Sequence, residues 1–183
     1  MTVAAPHADE VIAETRRWLE KAVIGLNLCP FAAHPYRSGR VRFAVSEART
    51  PQELLLDLEA ELHLLSEADQ SSCETTLLIH PATLQEFLPY NDFLAECDEL
   101  IESVGLEGVL QVATFHPQYQ FAETFSDDIE NYTNRSPYPT LHLLREESVS
   151  RAVETTDTEE IYQRNIRTLK GLGLQGWLNL WRS

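Results

Sequence analysis

The sequence is poor in cysteine, and its three cysteines do not have the spacing of a metal or disulfide site. Cys29, Cys73 and Cys97 are an odd number, and no two of them form a Cys-x-x-Cys pair. This pattern disfavours both a zinc ribbon and a framework of disulfide bonds. We therefore expect a protein of a reducing compartment, and the cytoplasm is the predicted location.

Basic residues and long apolar segments are also scarce. Lysine and arginine together number 14 against a combined 29 aspartates and glutamates, which gives an acidic chain with a net charge of −15 at pH 7. Such a charge repels both a nucleic acid backbone and an anionic lipid surface. The chain has no run of about 18 consecutive apolar residues, the length that a membrane-spanning helix requires. The sequence thus predicts no nucleic acid partner and no membrane partner.

The glycines do not form a nucleotide-binding motif. All seven are scattered, and they match neither the Walker phosphate loop nor the dinucleotide-binding fingerprint. ATP and NAD are therefore not expected as cofactors. The metalloprotease pattern His-Glu-x-x-His is missing as well, so any metal site would be built from residues that are distant in sequence.

What the sequence does contain is an alternation of short apolar segments with longer amphipathic ones. At 183 residues the chain is expected to form a single domain, residues 1–183, that buries roughly 70% of the surface of the unfolded chain. The predicted strands are Val41–Val45, Thr75–Ile79, Val109–Phe115 and Tyr138–Leu144. Strands that alternate with helices predict an α/β fold with a mixed, largely parallel four-stranded sheet and flanking helices. An α+β fold with a ferredoxin-like arrangement is the alternative.

The helix boundaries are marked in the sequence at two places. Apolar residues recur with a period near 3.6 along Ala8–Leu28, which predicts an amphipathic helix that ends before Pro30. The segment Thr50–Glu53 has the spacing of a capping box with proline at the first helical position, which predicts a helix that begins there. The apolar, tryptophan-rich tail Leu172–Trp181 is expected to dock on the body of the protein.

Two predicted strands end in the same dipeptide, His80-Pro81 and His116-Pro117. If these strands are parallel neighbours, both imidazoles lie at the carboxyl edge of the sheet, where open α/β sheets bind ligands. His142, in the last strand, either joins them or faces the core. Three converging histidines would bind a divalent transition metal, whereas a neutral imidazole alone would act as a general acid or base. The alternative is that each strand-end histidine only hydrogen-bonds a loop carbonyl.

The long segment around the fourth predicted strand supplies candidates for substrate recognition. Arg135 and Arg145 would orient an anionic substrate, because a guanidinium holds a carboxylate or phosphate through two parallel hydrogen bonds. Asn134 is a further candidate for substrate binding. Tyr119 and Tyr138 are candidate catalytic hydroxyl donors. A small anionic molecule is therefore the ligand class that this segment favours.

These observations leave three functions open. The first is a small-molecule enzyme, a hydrolase or lyase that uses His80 and His116 with or without a metal ion. The second is a ligand- or partner-binding module without catalysis, because a loop rich in Tyr, Asn and Arg suits recognition as well. In that loop Arg135 would alternatively form an ion pair with Asp127 or Asp128. The third is a thiol-dependent redox protein that uses Cys29, although no resolving cysteine lies near it in sequence.

Three segments of the chain form a recognisable pattern. They are Gly25–Phe31 (GLNLCPF), Ala113–Phe121 (ATFHPQYQF) and Asn131–Ser148 (NYTNRSPYPTLHLLREES). Together they resemble a bacterial family of proteins with a domain of unknown function, number 1415, over nearly the whole chain. The resemblance marks these segments as the signature of that family, and it implies no activity, cofactor or catalytic residue.

Overall fold

The computed structural model describes residues 6–180, which form a four-stranded sheet with helices on both faces. The helices are α1 (Ala8–Trp18), α2 (Ala33–Arg37), α3 (Pro51–Glu67), α4 (Phe87–Ser103), α5 (Glu146–Thr155) and α6 (Thr158–Asn179), and the strands are β1 (Val41–Val45), β2 (Thr75–Ile79), β3 (Leu110–Phe115) and β4 (Thr140–Arg145). A π-helical segment, Leu19–Ile24, continues α1, and a short 3-10 helix, Ile129–Asn134, lies in the loop before β4. The predicted α/β class and the number of strands are confirmed.

The sheet is mostly antiparallel, so the prediction of a largely parallel sheet is wrong. The strand order is β1-β2-β4-β3, and β1 and β2 are the one parallel pair among these four strands. β4 runs antiparallel to both β2 and β3 because the loop after β3 turns the chain back between them. β2, α4 and β3 therefore form a split βαβ unit, an element of the ferredoxin-like alternative.

One face of the sheet packs against α3 and α4. The leucines that α3 repeats along one side are fully buried, and they contact alternate residues of the strands such as Leu78, Leu141 and Leu143. α3 begins with the predicted capping box, because the Thr50 side chain accepts a hydrogen bond from the backbone N–H of Glu53, whose carboxylate reaches back to the Thr50 backbone. This face holds the larger part of the core.

The other face of the sheet packs against α1 and the π-helical segment that follows it. Val11 contacts Leu77 and Ile79, and Trp18 lies edge-on to Phe115 with ring centroids 5.0 Å apart. α6 extends this layer, and its Trp177 is almost fully buried. The predicted docking of the tail holds for this part of it, whereas Trp181 lies outside the described residues.

The helix predicted over Ala8–Leu28 changes its winding instead of continuing as one α-helix. α1 ends at Trp18, and the wider π-helical segment runs to Ile24. The chain then turns at Gly25, where a Cβ atom would lie 2.3 Å from the Lys21 carbonyl oxygen. Glycine is required by this close approach. Within residues 6–180, no helix is long and apolar enough to cross a membrane.

Candidate functional site

His80 and His116 lie at the same edge of the sheet, on either side of the start of β4. The residues before them, Ile79 and Phe115, both pair with Thr140 in the sheet. Both imidazoles face the α4 side, where they pack against the ring of Tyr90 with centroid distances of 5.7 Å for His80 and 4.9 Å for His116. The structure therefore brings together the two strand-end histidines, although β4 separates their strands.

The two imidazoles are enclosed and bonded to loop backbone. The Nδ1 atom of His116 accepts a hydrogen bond from the Gln118 backbone N–H, so its Nε2 carries the proton and donates to the Leu84 carbonyl at 3.0 Å. Nδ1 of His80 donates to the Thr83 carbonyl at 3.1 Å. Neither side chain has solvent exposure. Burial lowers the pKa of both groups, that of His80 to about 4, so both are neutral at pH 7.

One atom of this pair is unusual. Nε2 of His80 is buried, and it has no hydrogen-bond partner among the described residues. Because Nδ1 holds the proton, Nε2 presents a lone pair. The His80 ring is fully buried and is stacked on the ring of Tyr90.

His142 does not join the other two histidines. Its neighbours in β4, Leu141 and Leu143, face α3 and α4, and strand alternation turns His142 to the opposite face beside Phe115. There its Nε2 lies 2.8 Å from the Thr75 hydroxyl, and burial lowers its pKa to about 4. The metal set that the sequence predicts, His80, His116 and His142, is therefore not assembled. Residues 6–180 contain no group of three or more His, Cys, Asp or Glu side chains that could hold a metal ion.

Arg145 lies at the far end of β4 from the histidine pair. Its Nη2 atom contacts three backbone carbonyls, those of Leu65, Ala68 and Cys73, each at 2.9 Å. These carbonyls belong to the end of α3 and the turn that follows it. Arg145 therefore fastens this turn, and the structure does not bring it to the edge where a substrate was expected.

Tyr119 and Asn134 hold the long loop in place. The Tyr119 ring packs on Phe87 and Phe121, with centroids 5.1 Å and 5.0 Å away. The Asn134 side chain donates to the Thr114 carbonyl at 3.2 Å, and its backbone carbonyl accepts from the His116 N–H. Both residues lie at the predicted edge of the sheet, where their side chains contact other residues of the protein.

A cleft of about 340 Å³ opens at the same edge, but on the α1 side of the sheet. We call it the α1 cleft. It is lined by Glu14, Arg17, Trp18, Pro117, Tyr132, Arg135, Ser136, Pro137 and Trp177. Three of its sides come from different elements, since α1, the loop before β4 and α6 each contribute residues. Among the predicted site residues, Arg135 lines this cleft.

Arg135 is held rigidly with part of its guanidinium unused. Its Nε donates to the Tyr119 carbonyl at 3.1 Å and its Nη2 to the Ser126 carbonyl at 2.6 Å. The guanidinium carbon lies 4.3 Å from the centre of the Tyr132 ring. The hydrogen bonds of the described residues leave Nη1 as a free donor. Within residues 6–180 Arg135 forms no ion pair with Asp127 or Asp128, and its Nε and Nη2 bond loop carbonyls instead.

Glu14 and Arg17 form the α1 side of the cleft. The Tyr138 hydroxyl donates a hydrogen bond to the Glu14 carboxylate, and burial followed by this bond raises the pKa of Tyr138 well above its usual value. Tyr138 thus stays protonated and fixes Glu14. Arg17 is exposed, and no ion pair or hydrogen bond links it to another side chain in the described part of the chain.

Aromatic rings close the rest of the cleft. Trp18 is 1% exposed, and Tyr132 meets Trp177 edge-on with centroids 5.2 Å apart. The sequence does not predict the cleft residues of α1 and α6, because no sequence pattern indicates that these helices pack beside the loop between β3 and β4. One signal was available: Glu14, Arg17 and Trp18 have the i, i+3, i+4 spacing that puts three side chains on one helical face.

A second cleft at the opposite edge of the sheet differs in its charges. Its lining includes Arg40, Glu74 and Arg151. Arg40 lies 3.2 Å from Glu74, and Arg151 lies 2.8 Å from Glu147. Its cations are therefore already paired with acids of the protein, unlike those of the α1 cleft.

The family of proteins of unknown function designated DUF1415 matches this chain over residues 10–179. The chain belongs to that family. This match confirms the resemblance seen in the three sequence segments, and it spans both the histidine pair and the α1 cleft. No curated protein matches the chain, and no solved structure matches it.

Proposed function

We propose that this protein binds a small anionic molecule in the α1 cleft. The observation that carries the proposal is the pair Arg17 and Arg135, whose guanidiniums line one aromatic-walled cleft and retain unused donors. A guanidinium binds carboxylates and phosphates through charge-assisted hydrogen bonds. A concave, mostly apolar pocket with a few polar groups is the usual form of a small-molecule site.

The charge of the rest of the molecule strengthens this proposal. The chain carries a net charge of −15, so an anion meets repulsion over most of the surface. A cleft with two arginines and one glutamate is locally positive. This contrast favours a small anion that is enclosed by the cleft over an extended polyanion.

Two tryptophans in the lining, Trp18 and Trp177, allow a direct test. We expect benzoate, phenyl phosphate or inorganic phosphate to change the intrinsic fluorescence and raise the melting temperature, with a Kd of about 1 mM for so small a ligand. Arg17→Ala is expected to weaken binding about tenfold, since it removes a charge-assisted hydrogen bond. Arg37→Ala, an exposed arginine outside the cleft, is the control. Binding that is absent, or equal in both variants, would refute the proposal.

A second candidate is a hydrolase or lyase that uses His80 and His116. The lone pair on Nε2 of His80, which has no partner in residues 6–180, favours it. Catalysis would require the loops that bond the two rings, through Thr83, Leu84 and Gln118, to open, because both imidazoles are fully buried. Carbethoxylation of the folded protein, read by peptide mass spectrometry, tests this requirement. His80 must react at a rate comparable to exposed His63, and an unreactive His80 would remove the basis of the candidate.

Two further predictions from the sequence stay proposals: that the protein binds a divalent transition metal, and that it is located in the cytoplasm. Elemental analysis of protein purified without chelator tests the metal-dependent form of the enzyme. The three cysteines are unpaired, which supports a reducing compartment. Fractionation of the cells that make the protein tests the location.

A further inference from the structure

We infer that the ligand of the α1 cleft is an aromatic monoanion, and that Glu14 selects against a second negative charge. This inference rests on the proposed function, since it names the class of molecule that the same cleft takes. Two features carry it: the aromatic side chains that line the cleft, and the Glu14 carboxylate that shares this lining with Arg17 and Arg135.

The rings favour an aromatic ligand. The half-buried Tyr132 supplies the main aromatic surface, Trp18 and Trp177 add the small part of their rings that stays exposed, and two prolines supply apolar contacts. Tyr132 is held between the Arg135 guanidinium and the Trp177 ring, at 4.3 Å and 5.2 Å from its centre. Aromatic pairs gain energy beyond simple burial when they stack or meet edge-on. A volume of about 340 Å³ accommodates one substituted ring.

The charges favour a single negative group. Arg17 and Arg135 contribute two positive charges and Glu14 one negative charge, which leaves one positive charge to neutralise. Arg135 already uses Nε and Nη2 on loop carbonyls, so it offers Nη1 alone. A monoanion such as a carboxylate matches this set. A dianion brings an excess negative charge into a cleft of a protein that is already strongly acidic.

Glu14 is fixed where it repels that second charge. It lies one helical turn before Arg17, and the Tyr138 hydroxyl holds its carboxylate by a hydrogen bond. The carboxylate therefore cannot swing out of the cleft without breaking this bond. Two like charges within a few ångströms of each other repel, and they do so more strongly near a protein surface than in bulk water. This repulsion is sufficient for selection between ligands of the same shape.

The test compares two ligands that share a ring and differ in charge. Benzoate is a monoanion, and phenyl phosphate is mainly a dianion at pH 8 because its second pKa is about 6. We expect calorimetry on the full chain at pH 8 to give a Kd for phenyl phosphate about tenfold above that for benzoate. Glu14→Gln is expected to remove this difference by tightening the binding of phenyl phosphate. Acetate is expected to bind weakly in both proteins because it lacks the ring.

A matched control exists on the same helical stretch. Glu20 also accepts a hydrogen bond from a tyrosine, Tyr36, but it does not line the cleft. Glu20→Gln should therefore leave both ligands unaffected. If phenyl phosphate binds as tightly as benzoate, or Glu14→Gln leaves their ratio unchanged, the inference is overturned while anion binding stands. If neither ligand binds to the wild type or to Glu14→Gln, the proposed function fails with it.

Discussion

The two sides of one sheet edge use their polar groups in opposite ways. On the α4 side, His80 and His116 are fully buried, and three of their four ring nitrogens are bonded to loop backbone. On the α1 side, Arg17 and Arg135 keep free donors in an open cleft. The loop between β3 and β4 takes part in both arrangements, because the backbone of its Gln118 bonds the His116 ring and its Arg135 lines the α1 cleft.

This contrast separates the residues that stabilise the edge from those that are available to a ligand. A buried imidazole that bonds two loops holds those loops at fixed positions. An arginine that keeps an unused nitrogen at a cleft can bind an external group. The sequence draws attention to the histidines because they repeat at strand ends. In the structure, the unused hydrogen-bond donors lie on the α1 side of the sheet, on Arg17 and Arg135.

The largest effect expected from this comparison is the loss of stability on removing His116. His116→Ala takes away an acceptor for the Gln118 N–H and a donor for the Leu84 carbonyl, and it leaves a buried cavity. We expect the free energy of unfolding to fall by about 3 kcal/mol. Urea denaturation measures this change. His63→Ala, at an exposed position of α3, should change it by less than about 0.5 kcal/mol.

The pH dependence of stability is the next largest effect. The pKa of His80 is about 4 in the folded protein and about 6.5 in the unfolded chain, so the unfolded chain binds a proton that the folded one does not between these values. The stability that His80 contributes is therefore present above pH 6.5, and about 2 kcal/mol of it is lost as the pH decreases from 6.5 to 4.5. His142, whose pKa is lowered to about the same value, adds a loss in the same direction.

Urea denaturation at a series of pH values tests this prediction with two variants. His80→Gln should reduce the decrease in stability between pH 6.5 and 4.5 by the part that His80 contributes, while the part that His142 contributes remains. His63→Gln should keep the wild-type slope. Equal slopes in all three proteins would mean that His80 titrates normally and is not enclosed.

A smaller effect concerns the wall of the cleft that α6 supplies. Gly173 has φ 65° inside α6, and this kink directs the last part of the helix, with Trp177, to the cleft. Gly173→Ala should destabilise the protein by about 1 kcal/mol and weaken benzoate binding, because a Cβ disfavours this conformation. Gly171→Ala, two residues earlier with nothing within 4 Å of the added Cβ, should be neutral or stabilising. The two melting temperatures separate backbone conformation from steric contact.

The smallest effect on stability is expected at Arg17. Because this side chain is exposed and forms no ion pair or hydrogen bond with another side chain of residues 6–180, Arg17→Ala should change the free energy of unfolding by less than about 0.5 kcal/mol. Its effect on anion binding should nevertheless be clear. A large loss of stability would mean that Arg17 supports the fold, and the contrast between the two sides would weaken.

Local features of the fold could be predicted from the sequence. The strands and the capping box at Thr50 follow from side-chain alternation and turn chemistry, and they are found within two residues of their predicted positions. The strand order was not predictable in this way. β4 lies between β2 and β3, and this position depends on where the long loop after β3 returns the chain. No local sequence pattern indicates that position.

The candidate site was predictable only in part, for the same reason. His80 and His116 were expected at one edge because their strands end alike, and the structure puts them there. Arg135 was identified from its chemistry. The sequence could not exclude Arg145 as a substrate-binding residue. Its contacts are with carbonyls at the end of α3 and in the turn that follows, about 70 to 80 residues away in sequence. Trp177 reaches the cleft through a kink that sequence patterns do not record.

The central claim is that ligands bind on the α1 side of this edge and not among the histidines. The most direct test is an NMR titration of the wild-type protein with benzoate, which follows the indole N–H signals of Trp18 and Trp177 and the imidazole signals of His80 and His116. We predict that the indole signals shift with a saturable dependence on benzoate while the imidazole signals stay in place. Saturable shifts of the imidazole signals with unchanged indole signals would contradict the account.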